Sequence, residues 1–268
     1  MTFHAAIHAE NLRVHYGKRD ILNLPLLSVP VGQMAALLGP NGAGKSTFLR
    51  CLLGMEHRMQ GDVYVQGKRV GSVGAGGIAR LRRGIGYVPQ QLPAHSEMPL
   101  TVREVVAIGR TGIAGLFGPL RGKDWRIVDE WIARLGLCDV SARGFNRISG
   151  GQQRKALIAK AMVQQPGLLL LDEPTANLDL GWRERMIEVI EDLYQSAGLT
   201  VVLVCHELEV LPPSCQRVIV LQDGRLLEDG PCADVLRDDL ITSLYGAGLS
   251  VIRNGRRWAV APGEAVNA

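Results

Sequence analysis

The sequence predicts an α/β fold built on a mainly parallel sheet. Three observations carry that expectation. Short apolar runs alternate with helix-period segments along most of the chain. One run, residues 168–171, is leucine throughout, as suits a parallel strand buried on both faces. A glycine-rich turn, residues 39–47, joins an apolar run to a helical one.

The elements follow in order. Residues 12–16 (LRVHY) read as a strand, Gly17-Lys18-Arg19-Asp20 as a turn, and a second extended run starts at Ile21. Pro25 and Pro30 keep that run from being helical, because proline lacks the donor a helix needs. Residues 34–38 (MAALL) have buried-strand length, and residues 48–53 read as a helix that Gly54 can stop. Alternation returns over 62–70. Residues 71–77, with four glycines, read as a loop, and 85–88 as a strand closed by Pro89. The middle third differs. Thr101 caps a helix over 102–110, with Glu104 completing a capping box. A loop rich in glycine and proline follows over 112–122. Asp124 then caps a helix with Val128, Trp131, Ile132 and Leu135 on one face, ended by Gly136. A further helix starts near Ser149. Beyond it come the strand at 168–171, a helix over 183–195 and a strand over 200–205. Asp223-Gly224 signals a hairpin between 218–221 and 225–228.

Composition narrows the function classes. The chain has 268 residues, 47% hydrophobic and 21% charged, which suits one or two soluble domains and excludes a disordered tail. Its glycines have no fixed period, which excludes a collagen-like rod. No apolar run approaches the roughly 18 residues of a membrane span. The start, MTFHAAIHAE, lacks a basic segment followed by an apolar one, so no signal peptide is expected. Five scattered cysteines without a CxxC pair read as free thiols of a reducing compartment. A net charge of +4 is too mild to imply nucleic acid; the clusters Arg80-Arg82-Arg83 and Arg253-Arg256-Arg257 read as solvated faces.

The chemistry lies in two segments. GPNGAGKS matches the phosphate-binding pattern G-x-x-x-x-G-K-[ST]. Gly39, Gly42 and Gly44 let backbone N–H groups converge on phosphate oxygens with no Cβ in the way. Pro40, Asn41 and Ala43 complete the loop, and the helix beginning near Lys45 points its positive end at the anion. Lys45 supplies a charge for the β- and γ-phosphates. Ser46, followed by Thr47, offers a hydroxyl to Mg²⁺. Downstream, the leucine strand delivers Asp172 and Glu173 to its C-terminal edge. Asp172 would support Mg²⁺, and Glu173 would act as general base toward water.

Further segments share a pattern. ISGGQ (148–152) resembles the LSGGQ signature of ATP-binding cassette (ABC) proteins. LLLLDEPTANLD resembles that family's Walker B strand and D-loop, ending at Asp179. YVPQ ends in Gln90 as the Q-loop does, VCHEL offers His206 as the switch histidine, and Tyr16 sits where the family stacks an aromatic on adenine. Five motifs stand in family order between about residues 7 and 240. Taken singly, Gln90 is a polar loop residue, His206 a strand-end histidine, Tyr16 packing, and Ser149-Gly150-Gly151 a turn and cap. As a set they identify the family.

The resemblance implies a P-loop NTPase: a RecA-like core with an antiparallel β subdomain, carrying an inserted α-helical subdomain. The implied layout is one ABC domain, with core at 3–90 and 158–240, helical insert at 91–157 and tail at 241–268. It implies that Glu173, His206 and Lys45 are catalytic, that Ser46, Gln90 and Asp172 serve the metal, and that Ser149, Gly150, Gly151 and Gln152 meet the ATP of a second cassette. ATP and Mg²⁺ are the implied cofactors. One P-loop and one signature per chain imply a second cassette, most simply a second copy. Membrane permease subunits and an extracytoplasmic solute-binding protein are the further implied partners, with this chain peripheral on the cytoplasmic face of the inner membrane. LTVREVVAIGR and LYG (244–246) resemble importers of iron–siderophore, haem, cobalamin or similar chelates. A non-transport ABC ATPase, as in iron–sulfur assembly, and an exporter ATPase are the alternatives. A GTPase is excluded, since no NKxD-like motif is present. The departures are mild. Ile148 replaces the usual leucine, Lys155 keeps charge without arginine's planar fork, and Cys205 and Glu207 flank His206.

Overall fold

A computed structural model describes residues 5–17, 19–71, 75–90, 100–115, 118–246 and 248–263. The chain begins with two long antiparallel strands, β1 (Ala5–Tyr16) and β2 (Arg19–Pro30). Strand β1 starts well before the predicted run. Ile7, Ala9, Leu12 and Val14 all face inward, but the parity changes between Ala9 and Leu12. Pairing with the strand on its other side, residues Met59–Val65, shifts register between Glu10 and Arg13, and Asn11 there adopts a left-handed φ of 50°. The bulge restores the inward face and hides the alternation from a simple reading.

Strand β3 (Met34–Leu38) leads through the glycine turn into α1 (Lys45–Leu52). Strands β4 (Met59–Val65) and β5 (Lys68–Arg69) follow. The expected loop over 71–77 is corrected from residue 75 onward, where α2 (Ala75–Arg83) begins and takes in Gly76 and Gly77. Residues 72–74 lie outside the described residues. The helix forms despite its glycines because Leu81 is buried and Arg82 donates to the Leu53 and Gly54 carbonyls, satisfying the end of α1. Strand β6 (Ile85–Val88) ends at Pro89.

Residues 91–99, the expected start of the helical block, lie outside the described residues. The block then holds α3 (Val102–Ala114), α4 (Gly122–Arg134) and α5 (Gly150–Met162). The Thr101–Glu104 capping box is present in both directions. Two boundaries are corrected. Helix α3 runs past Gly112 to Ala114. Helix α4 starts before Asp124, whose carboxylate accepts the Arg121 N–H at 2.9 Å from inside the first turn. A carboxylate three residues into a helix gives the same sequence signal as a cap. Helix α5 runs unbroken across residues 157 and 158.

Strand β7 (Leu168–Asp172), α6 (Leu180–Ala197), β8 (Thr200–Cys205), β9 (Arg217–Gln222) and β10 (Arg225–Pro231) complete the main sheet. Asp223 and Gly224 both have positive φ, as the predicted hairpin turn requires. The described part of the segment read as a tail is structured. Short helix α7 (Cys232–Val235) and α8 (Asp238–Tyr245) precede a hairpin of β11 (Leu249–Asn254) and β12 (Arg257–Pro262).

The ten strands run in the order β5-β4-β1-β2-β10-β9-β3-β8-β7-β6. Strands β9, β3, β8, β7 and β6 are parallel; β1, β2, β4 and β5 are antiparallel. The two parts meet where β10 lies beside β2, paired in register only at Arg225 and Asn23. Each face of the sheet carries its own core. Ala35 and Leu37 of β3 pack with Phe48, Leu49, Leu12 and Leu24 on one side. Met34, Ala36 and Leu38 pack with Val106, Leu157 and Ile187 on the other. Burial on both faces explains why MAALL shows no alternation. No helix among the described residues is long and apolar enough to cross a membrane. All five cysteines are free thiols.

Candidate nucleotide site

Strand β3 ends against the glycine turn. Gly39 has φ 153°, and a Cβ there would lie 2.1 Å from the Leu221 carbonyl oxygen. The loop therefore lies on the β9–β10 turn with no space for a side chain. Gly44, at φ 95°, begins α1 in the left-handed region. Asn41, Gly42 and Ser46 are exposed, Pro40 and Thr47 half-buried, and Ala43 buried. Lys45 is buried, and its Nζ donates to the Gly39 carbonyl at 2.5 Å and the Pro40 carbonyl at 3.0 Å. Burial pulls its pKa below 10.5, against the opposing pull of Glu173.

Asp172 and Glu173 stand at the C-terminal edge of β7, as the sequence predicts, and both are buried. Burial raises the Asp172 pKa above 3.8, and the Glu173 charge adds to that. The Tyr87 hydroxyl reaches Asp172 Oδ2 at 3.4 Å, while Oδ1 is buried with no hydrogen-bond partner. Burial also lifts Tyr87 to about 12. Glu173 has a left-handed φ of 46°, a conformation that costs about 1–3 kcal/mol without glycine. Its N–H donates to the Val204 carbonyl at 3.1 Å, which fixes the carboxylate between β7 and β8. Gln90 Nε2 donates to Glu173 Oε2 at 2.6 Å, and His206 Nδ1 stands 3.5 Å from the same oxygen. These groups border a cleft of about 390 Å³ that Asn41, Gln90, Glu173, Asn177, Arg183 and His206 help to line.

Not every expected residue reaches that cleft. Ser149 caps α5, its hydroxyl accepting the Gln152 N–H at 3.3 Å while Gln152 Oε1 accepts the Ser149 N–H at 3.1 Å. Ser149 and Gly150 are exposed and Gly151 is buried, yet none of the signature residues lines the cleft. Asp179 caps α6 through the Trp182 N–H at 2.9 Å. Tyr16 also lies outside the cleft lining. Its hydroxyl donates to Glu56 at 2.6 Å, and the Arg58 guanidinium lies 5.0 Å from its ring centroid. The hydrogen bond to Glu56 raises the tyrosine pKa and lowers the carboxylate's.

Three functional neighbours escaped the sequence reading. Arg154 is buried on α5 and donates to the Pro89 and Gln90 carbonyls at 2.6 and 2.9 Å. It ties the signature helix to the segment carrying Gln90. Arg183 pairs with Glu207 at 2.6 Å beside His206. Glu56 holds Tyr16. The one available signal was arginine directly after SGGQQ on a helix otherwise rich in small and apolar residues. Among the described residues no cluster of three histidine, cysteine or carboxylate side chains could hold a metal by itself. The unpartnered Asp172 Oδ1, close to the Ser46 hydroxyl, fits a hard cation that takes its other ligands from phosphate and water.

Known proteins complete the picture. Residues 22–176 match the profile of the ABC transporter family. A phosphonates import ATP-binding protein of Oceanobacillus iheyensis is 33% identical over 90% of this chain and 95% of its own length. An iron(3+)-hydroxamate import ATP-binding protein of Bacillus subtilis is 31% identical over 94% and 91%. A metal-chelate type ABC transporter, solved in an inward-facing conformation, superposes with a TM-score of 0.79 at 27% identity, over 97% of this chain and 98% of that one. A dimeric ATP-binding cassette bound to ADP and Pi, in a post-hydrolysis state, superposes with a TM-score of 0.71 at 26% identity, over 84% and 98%. The P-loop, the cleft at the parallel sheet edge and these likenesses agree: the chain belongs to the ABC transporter family, as an ATP-binding subunit that hydrolyses ATP.

Proposed function

We propose that this subunit couples ATP-driven closure of two cassettes to import of a metal or metal chelate by a separate permease. The observation that carries the reading is a division of surfaces. Lys45, Gln90, Asp172, Glu173 and His206 gather at the β3, β7 and β8 edge, while Ser149–Gln152 do not line the cleft there. A site split in this way is completed by a second copy, whose signature helix offers its N-terminus to the γ-phosphate. ATP would lie with its phosphates on residues 39–47 and its base toward Tyr16. Mg²⁺, held by Ser46, Gln90 and Asp172, would neutralise charge on the β- and γ-phosphates. Glu173 would accept a proton from the attacking water as the water oxygen bonds to phosphorus and the bond to the ADP oxygen breaks. His206 would hold the γ-phosphate. Lys45 would exchange its two carbonyl partners for phosphate oxygens, and Gln90 would release Glu173.

The metal-chelate transporter and the hydroxamate relative support the substrate class. The phosphonates relative, equally similar, favours phosphonate import as a second reading. Under either reading the subunit would work at the cytoplasmic face of the membrane, with a solute-binding protein outside. Glu173→Gln tests the chemistry. It should bind ATP, lose at least about a hundredfold in phosphate release, and accumulate as a dimer. Undiminished release would remove Glu173 from its role. ATPase stimulation in vesicles carrying the permease, by ferric hydroxamate or by phosphonate, separates the two substrate readings.

A further inference from the structure

Trp182 lies in the first turn of α6, three residues beyond Asp179. Its backbone N–H is the donor that Asp179 caps. Its indole covers Gly151 of the signature. A Cβ on Gly151 would lie 2.2 Å from both Cδ2 and Cε3 of the ring. Gly151 has no positive φ, so it is this contact, not the backbone conformation, that excludes a larger residue there. Lys155, one helical turn further along α5, and Arg185 on α6 both place their cations over the same ring, at 5.8 and 5.3 Å. The indole is therefore clamped from both helices. The D-loop and the signature, 27 residues apart in the chain, meet here: Trp182 follows the D-loop and covers Gly151, and Leu178 of the D-loop lies beside Gly150.

We propose that Trp182 is a positioning residue that fixes the signature to the D-loop, so that both reach the partner cassette as one unit. This rests on the two-cassette reading above. A hydrogen-bonding N-terminus must stand within a few tenths of an ångström of its anion, and α5 begins at Ser149 with a polar cap, while Gln153 and Arg154 tie its next residues to the Phe145, Pro89 and Gln90 carbonyls. The contact between Trp182 and Gly151 adds the lateral restraint from the side of α6. Trp182 is not among the residues that line the chain's own cleft, so its loss should leave monomeric nucleotide binding intact.

The experiment uses the full chain carrying Glu173→Gln, with ATP-dependent dimerisation followed by sedimentation and monomer affinity followed by ADP titration. Trp182→Ala should weaken dimerisation by about tenfold and leave ADP affinity unchanged, while Trp182→Phe should retain it within about twofold. A coupling measurement guards against simple misfolding. Gly151→Ala alone should block dimerisation, and adding Trp182→Ala should restore part of it by removing the clash. Equal dimerisation of the Trp182→Ala and parent proteins, or no relief in the double variant, overturns the proposal. No ATP-dependent dimer in the Glu173→Gln parent overturns the two-cassette reading itself, and this proposal with it.

Discussion

Arg154 decides where Gln90 stands. Both of its hydrogen bonds run to carbonyls of the segment after β6, from a residue that is 2% exposed. Removing it leaves two carbonyls without a donor, at about 1–3 kcal/mol each if they stay buried. Arg154→Ala should therefore lower ATP turnover by about tenfold while ATP affinity changes less than about twofold. Arg154→Lys, with a single ammonium for two carbonyls, should recover part of the loss. Steady-state kinetics on the purified subunit read both; unchanged turnover in the alanine variant would contradict the linkage. The residues of the phosphate loop and the β7 edge were legible in the sequence because phosphate chemistry needs fixed spacing: Lys45, Ser46, Asp172 and Glu173 come from two short patterns. Arg154, Glu56 and Trp182 were not, because each acts across the fold on a residue at least 28 positions away in the chain. The left-handed backbone of Glu173 was equally hidden, since no local pattern demands it.

Three helices of the inserted block are joined by one arginine. Arg110 of α3 sends Nε and Nη2 to Asp124 of α4, at 3.1 and 2.7 Å, and Nη1 to the Val163 carbonyl after α5, at 2.9 Å. One residue earlier, Gly109 lets α3 approach α5 so closely that a Cβ would sit 2.0 Å from the Lys160 carbonyl oxygen. Asp124 works twice, since it also accepts the Arg121 N–H. The Arg110 hydrogen bond holds its pKa below 3.8, so the fold favours the ionised form. That stabilisation is present above 3.8 and is lost as pH falls through the depressed folded value. Asp124→Asn should melt below the wild type at pH 7, and the gap should close as the pH is taken below 3.8. Thermal scans across that range check it; a gap that does not change with pH would exclude the ion pair as its cause. The sequence revealed that these helices exist, through caps and apolar spacing. It missed α2, whose glycines read as a loop, and the bulge at Asn11, which breaks a period-two pattern without ending the strand.

Across the whole molecule, the alternating order of strands and helices revealed the parallel core, and the resemblance supplied the antiparallel part. The pairing order itself lay outside the sequence, because β10 and β2 meet over more than 190 intervening residues. Ligand binding should act on this assembly as a single unit. At a hundred times its Kd, Mg·ADP adds about 2.7 kcal/mol to the folded state. For a domain of this size that amounts to a rise in Tm of about 5–10 °C. Lys45→Ala should lose most of that rise, measured against the Tm of the same variant without ligand. Differential scanning fluorimetry with and without nucleotide makes the comparison, and a full shift in the variant would argue against phosphate on Lys45.

The narrow pairing of β10 with β2 has a mechanical meaning. Two parts of a sheet that share one backbone register pair have a line of least resistance between them. Under load, or during a thermal fluctuation, the antiparallel part would part from the parallel core along that line. Helix α1 is the strut across it, since Phe48, Leu49 and Leu52 pack against strands of both parts. The end of that strut is the phosphate loop, which lies directly on the turn before β10. A nucleotide seated there would work as a rivet at the seam, stiffening the sheet at its weakest joint each time it binds and releasing that joint when it leaves.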